Sequence, residues 1–244
     1  FSFLIWRTFM CGRFSETSSA EKIAGAFRVD KRTVPPRQNR FNITPGQPVL
    51  TLINDFGKKR FDYLNWGLIP SWSKDLTARK PLINARAETV FEKPSFRSLI
   101  KNSRCLIIAD GYYEWRKTAS GSQPYYIKMK TGETFGFGGV HTSWISSEGS
   151  EIHSCAIITT AAGDRMRDIH HRMPLILTSG QADSWLDKNI IRQNLIEPLI
   201  TAAPDDCLEM YPVSTFVNAP EHDSEECRMP VARTEQKFPG SLFG

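Results

Sequence analysis

Apolar and polar positions along this 244-residue chain follow two rhythms. Through the middle, short runs rich in β-branched and aromatic residues recur at 49–53, 61–66, 104–109, 125–129, 135–140, 152–159 and 175–178, separated by Gly, Pro or Ser. Runs of this length and composition predict strands. Helical spacing is confined to the flanks. Thr17-Ser18-Ser19 offers hydroxyl caps ahead of a stretch in which Ile23 and Phe27 stand four residues apart, which predicts a short capped helix over 17–27. Two more helices are predicted late, at 181–187 and 194–201. Strands and helices do not alternate, which argues against a doubly wound parallel sheet. No repeat, low-complexity block or long linker divides the chain. The pattern predicts an α+β fold: a single domain with a curved, β-rich, barrel-like core and peripheral helices.

Composition changes this picture little. At 40% hydrophobic and 23% charged residues the chain has the make-up of a globular protein with a real core, which excludes a disordered one. A net charge of +5 is compatible with an anionic partner without demanding one. Five cysteines, at 11, 105, 155, 207 and 227, are odd in number and lack Cys-x-x-Cys spacing, which speaks against a disulfide framework or a structural zinc site. Cys105 and Cys155 lie in apolar runs and read as buried thiols, and the set suits a reducing cytoplasm. The first nine residues are apolar but shorter than the ~20 needed to span a bilayer, and they lack the parts of a secretory signal. The expected organisation is an extension at 1–9, a domain at 10–232 starting from Met10, and a tail at 233–244.

Candidate chemistry begins at Met10-Cys11-Gly12-Arg13-Phe14. Removal of Met10 would leave a cysteine with a free amine beside its thiol. Such a pair traps an aldehyde as an imine and then closes a thiazolidine ring. An internal cysteine cannot do so, because its nitrogen lone pair is delocalised into the peptide carbonyl. Cys11 as a buried thiol on an early strand is the other reading. Glu114 stands between Tyr112-Tyr113 and Trp115 beyond a predicted strand, where aromatic faces would dehydrate its carboxyl and raise its pKa; a surface glutamate at a strand end is the alternative. His170 titrates near neutrality. His170 and His171 together suggest a metal, but in an extended segment neighbours point to opposite sides, so the pair is not expected to share one. Asn84 and Arg86 would share one face of an extended run. Asn84 can donate and accept hydrogen bonds, and Arg86 presents a planar fork to a phosphate or to Glu88. Arg13 and Arg172 would bring charge to phosphates beside Cys11 and His170. Trp66 and Trp115 could stack on unpaired bases or belong to the core.

Four separated runs carry a resemblance: Met10 to Phe14, Leu82-Ile83-Asn84-Ala85-Arg86-Ala87-Glu88, Ala109-Asp110-Gly111-Tyr112-Tyr113-Glu114-Trp115 and Ile169-His170-His171-Arg172-Met173-Pro174. With Arg40-Phe41-Asn42-Ile43-Thr44-Pro45-Gly46 and Trp66-Gly67-Leu68-Ile69-Pro70 between them, the chain resembles the SOS-response-associated peptidase (SRAP) family from Met10 to Met229-Pro230-Val231. The resemblance implies the SRAP fold. It also implies a DNA-damage protein that binds abasic sites in single-stranded DNA and crosslinks to them through Cys11, with self-processing peptidase and β-lyase-like activity. In that reading Glu114 moves protons, His170 assists opening of the sugar, Asn84 positions the amine, and Arg13, Trp66, Arg86, Trp115 and Arg172 contact DNA. No metal or organic cofactor is implied. The protein would act as a cytoplasmic monomer, nucleoid-associated in a bacterium, with no membrane partner. The chain departs from the family where His171 replaces a common acid and where nine residues precede Met10. Two rival functions remain: a thiol peptidase built on Cys11, His170 and Glu114 or Asn84 that cleaves other proteins, and a noncatalytic single-stranded DNA-binding module.

Overall fold

Eight of the thirteen strands among the described residues form one sheet built around a closed ring. The computed structural model describes residues 11–55, 57–74, 81–119 and 121–231; Met10, the segment 1–9 and the tail 233–244 lie outside the described residues. In chain order the strands are β1 (Arg13–Glu16), β2 (Arg40–Ile43), β3 (Pro48–Asp55), β4 (Lys58–Trp66), β5 (Asn84–Arg86), β6 (Arg104–Ala109), β7 (Gly111–Thr118), β8 (Gly121–Met129), β9 (Phe135–Ile145), β10 (Glu151–Ala161), β11 (Arg172–Pro174), β12 (Ile176–Leu177) and β13 (Leu208–Pro212). The helices are α1 (Ala20–Phe27), α2 (Leu99–Asn102), α3 (Asp164–Arg167), α4 (Ser179–Leu186) and α5 (Gln193–Ile196).

The ring runs β10-β4-β3-β6-β9 and closes by pairing β9 with β10. Only the β4–β10 contact within it is parallel. Alternation along each strand sorts residues to two faces. Thr51, Cys105, Ile107, Phe137, Cys155 and Ile157 are buried on one face. It is packed closely enough that a Cβ on Gly139 would lie 2.4 Å from Ile107 Cδ1 and 3.2 Å from Cys105 Sγ. Leu50, Leu52, Leu106, Ile108, Ala156 and Ile158 form the other face, covered by Ile23 and Phe27 of α1, Ile100 of α2, Trp185 and Leu186 of α4 and Ile196 of α5. Because both faces are buried, β3, β6, β9 and β10 read as largely apolar runs, whereas β4 buries only Leu64 and Trp66; the predicted positions of all five agree with the structure.

The flanking elements differ from expectation at their ends. α1 starts at Ala20, with Ser19 accepting from the Lys22 N–H, and stops where Arg28 takes a left-handed conformation. The late helix expected at 194–201 is one turn of α5 followed by a 3₁₀ turn at Glu197–Leu199, because Pro198 has no N–H to continue the ladder. The strand expected at 175–178 is the two-residue β12, and β11 precedes it at Arg172–Pro174.

A second, antiparallel sheet, ordered β13-β8-β7-β1-β2, lies against the ring. Its Phe14 meets Trp66 edge-on at 5.1 Å and Phe137 at 5.5 Å, joining the two sheets in one core. Burying a phenylalanine of this kind contributes roughly 2 kcal/mol. Gly111 at the start of β7 is required sterically: a Cβ there would sit 2.1 Å from Tyr126 Oη, which lies 2.8 Å from Ser15 Oγ. No helix among the described residues is long and apolar enough to cross a membrane.

Candidate functional site

The register of β1 against β7 creates the site. Arg13 pairs with Tyr113 and Phe14 with Tyr112, so the chain ahead of β1 arrives beside Glu114. Cys11 turns there with φ +47°, a left-handed conformation that costs a non-glycine residue about 1–2 kcal/mol. The turn aims its backbone nitrogen at Glu114 Oε1, 2.7 Å away. Glu114 is 3% exposed, and Tyr112, Met166 and the half-buried Ile169 belong to the same cluster as Cys11. Burial pushes the Glu114 carboxyl from its ordinary 4.5 up to about 8, although the Cys11 and Trp115 N–H groups pull the other way. Burial, then the nearby Glu114 charge, also pushes the Cys11 thiol well above its usual range. The thiol is therefore held protonated, next to a carboxyl able to exchange a proton near neutral pH.

The end of β10 gathers the other candidates. Asn84 and Arg86 pair in parallel with Ile157 and Thr159, while Arg172 of β11 pairs with Ala161. Along β5, Ala85 is buried and Arg86 exposed, the alternation that an extended run requires. α3 leads into His170, whose N–H donates to the Met166 carbonyl at 2.9 Å. The half-buried His170 has its pKa lowered, first by burial and next by the charge of His171; Lys117 of β7 acts in the same direction. The two imidazoles do not diverge as expected for an extended segment. The chain bends at His171, and the rings stack with centroids 4.4 Å apart and planes 27° apart. Among the described residues, no group of three His, Cys, Asp or Glu side chains converges on a metal position.

A family model described as SOS response associated peptidase (SRAP) matches residues 10–220. The chain belongs to the SRAP family. It is 40% identical over 220 residues to the abasic site processing protein YoqW of Bacillus subtilis (strain 168), covering 89% of this chain and 98% of that one. Over 227 residues it is 30% identical to the abasic site processing protein YedK of Escherichia coli (strain K12), covering 91% and 100%. A crystal structure of a protein from Bacteroides thetaiotaomicron superposes with a TM-score of 0.79 at 27% identity, covering 91% of this chain and all of that one. The barrel described above is thus the SRAP fold.

The nine residues singled out from sequence fall into distinct places in this SRAP fold. Cys11 and Glu114 are in hydrogen-bond contact, and Asn84, Arg86, His170 and Arg172 cluster around the end of β10. Three expected DNA contacts are instead absorbed by the fold. Trp66 is fully buried and its indole N–H donates to the Ile83 carbonyl at 3.0 Å, so it has no face to stack on a base. The Arg13 guanidinium donates to Asn42 Oδ1 at 2.9 Å, the Val217 carbonyl at 2.5 Å and the Asn218 carbonyl at 3.0 Å, tying β1 to the C-terminal segment. Arg172 is 8% exposed, and its guanidinium donates to both Glu88 oxygens at 2.7 and 2.9 Å and to the Thr159 carbonyl at 2.6 Å. Glu88 therefore pairs with Arg172 rather than Arg86. Trp115 keeps a partly open ring; its N–H donates to Asn218 Oδ1 at 2.8 Å and Arg13 covers it at 6.0 Å. An exposed indole that the sequence reading passed over is Trp72, at 52%. Its Trp-Gly-Leu-Ile-Pro-Ser-Trp context was visible, but nothing in sequence says which of the two tryptophans is buried.

Proposed function

We propose that this protein captures abasic sites in single-stranded DNA as a covalent thiazolidine formed by Cys11 after removal of Met10. The contact of the Cys11 nitrogen with a buried Glu114 carries the reading. An α-amine has a pKa of about 7.7–8.0, so a carboxyl near 8 is matched to take its proton and return one later in the same reaction. The neutral amine adds to the open aldehyde of the sugar, the carbinolamine loses water to an imine, and the thiol adds to the imine carbon. One water leaves in total. His170 donates to the sugar ring oxygen as it opens, Asn84 orients the amine, and Arg86 with Trp115 holds the strand. The imine acidifies the adjacent carbon, which supports a β-lyase-like side reaction, and release of Met10 is the peptidase step. The abasic site processing relatives support the substrate class. One copy suffices, and residues 10–232 form the working unit.

The thiol-peptidase alternative is less favoured by the geometry. Such an enzyme needs a lowered thiol pKa, and burial moves that of Cys11 upward. A noncatalytic DNA-binding module loses support with Trp66, Arg13 and Arg172 withdrawn into the fold. The test is Cys11→Ala: the variant should retain binding to undamaged single strands yet give no denaturation-resistant adduct with an abasic oligonucleotide. An adduct of undiminished yield would refute the proposal.

A further inference from the structure

We infer that the Glu88–Arg172 ion pair is a positioning device for His170, holding its imidazole in the tautomer that carries the proton on Nε2. The inference rests on the reading of His170 as the donor to the sugar. The Arg172 backbone N–H faces His170 Nδ1 at 3.2 Å. The Arg172 carbonyl is also near, at 3.4 Å, but a protonated Nδ1 would confront the fixed N–H donor at the shorter distance. Nδ1 must then accept, and a neutral imidazole that accepts there bears its hydrogen on Nε2. Burial, and after it the neighbouring His171, Arg172 and Lys117, lower the pKa of the ring and favour its neutral form, so its tautomer decides whether it can donate.

The pairing of β11 with β10 sets the path of that backbone, and the Arg172 side chain anchors it from the other side. Its fork grips both oxygens of Glu88, in the 3₁₀ turn Ala87–Thr89 that follows β5, while Nη2 reaches the Thr159 carbonyl of β10. One guanidinium thus fastens the strand that follows His170 to the segment bearing Asn84 and Arg86. A bidentate pair fixes angle as well as distance, which a lone charge does not. Arg172, expected from sequence to contact phosphate, acts instead through its neighbour.

Two reactions of the processed protein, its N-terminus at Cys11 verified by intact mass, test this. An abasic oligonucleotide requires opening of the sugar ring; a simple alkyl aldehyde is already open and needs only the amine and thiol. His170→Gln should slow the abasic reaction by ~100-fold. Glu88→Gln, at a half-exposed position where the fold tolerates change, should slow it by ~10-fold through loss of alignment. Glu88→Gln should leave the rate with the alkyl aldehyde unchanged. Nitrogen-15 histidine NMR at neutral pH should show His170 with an unprotonated Nδ1 in the wild type and a mixture of tautomers in Glu88→Gln, with Glu88→Asp partly restoring the first. Unchanged tautomer and abasic rate in Glu88→Gln would overturn the inference, as would equal slowing of both reactions, which marks a merely structural effect. If His170→Gln leaves the abasic reaction unchanged, the donor role fails instead, and the NMR alone judges the positioning.

Discussion

Replacing Glu114 by Gln should stabilise the unprocessed chain at high pH while abolishing capture by the processed protein. The carboxyl titrates near 4.5 when exposed and near 8 when folded. Its pKa is raised in the native state, so the stability it confers is fully present below about pH 4.5 and is lost as pH climbs through 8. At ~1.36 kcal/mol per pKa unit, the ionisation cost in the wild type grows by about 4 kcal/mol between pH 5 and pH 9. Glutamine has no such cost. It keeps an oxygen to accept from the Cys11 N–H but turns an amide hydrogen toward one of the donors that Glu114 satisfies, a penalty of about 1–3 kcal/mol that does not depend on pH. At pH 5 the variant should therefore be the less stable protein, and at pH 9 the more stable one. Urea denaturation of both proteins at the two pH values measures the change directly, because groups common to both cancel in the difference. A stability difference that stays constant from pH 5 to pH 9 would refute the reasoning and return Glu114 to an ordinary carboxylate.

Other consequences are simpler to measure. Arg104 is buried and donates to the carbonyls of Ile100, Lys101, Trp185 and Asp187 at the ends of α2 and α4; Arg104→Leu should lower stability by more than about 3 kcal/mol in the same denaturation assay. Gly111→Ala should cost about 2–3 kcal/mol by driving Tyr126 off Ser15, and Tyr126→Phe in the same chain should recover part of it. Trp66→Phe should leave affinity for undamaged single strands unchanged, whereas Arg86→Ala should weaken it and reduce the slope of log affinity against log salt by about one.

Sequence and structure agree where a residue's neighbours are dictated by its own strand. The ring strands β3, β6, β9 and β10 bury both faces along most of their length and so announce themselves as apolar runs, while β4 buries only Leu64 and Trp66 and shows as an alternation at its end. β7 does not, because Arg116, Lys117 and Thr118 leave the core and face solvent halfway along it. β1, β2 and β5 are three or four residues long and owe their form to the strands beside them. The site was legible only through its motifs. Cys11 and Glu114 are 103 residues apart, and no local pattern says that they touch. For the arginines, residue type indicated charge but not its partner: Arg13 is occupied by carbonyls 204 and 205 positions later, and Arg172 by a glutamate 84 positions earlier. The His170–His171 stack was missed because it depends on one bend in the backbone, and period-two reasoning holds only while the chain stays extended.

Intact-protein mass spectrometry after incubation with an abasic single-stranded oligonucleotide, beside an undamaged control, tests the central claim most directly. Capture by Cys11 requires a species that begins at Cys11 and gains the oligonucleotide's mass less one water, with abasic DNA alone. A chain that begins at Cys11 and remains unmodified by abasic DNA, or an equal adduct with the undamaged strand, would contradict it.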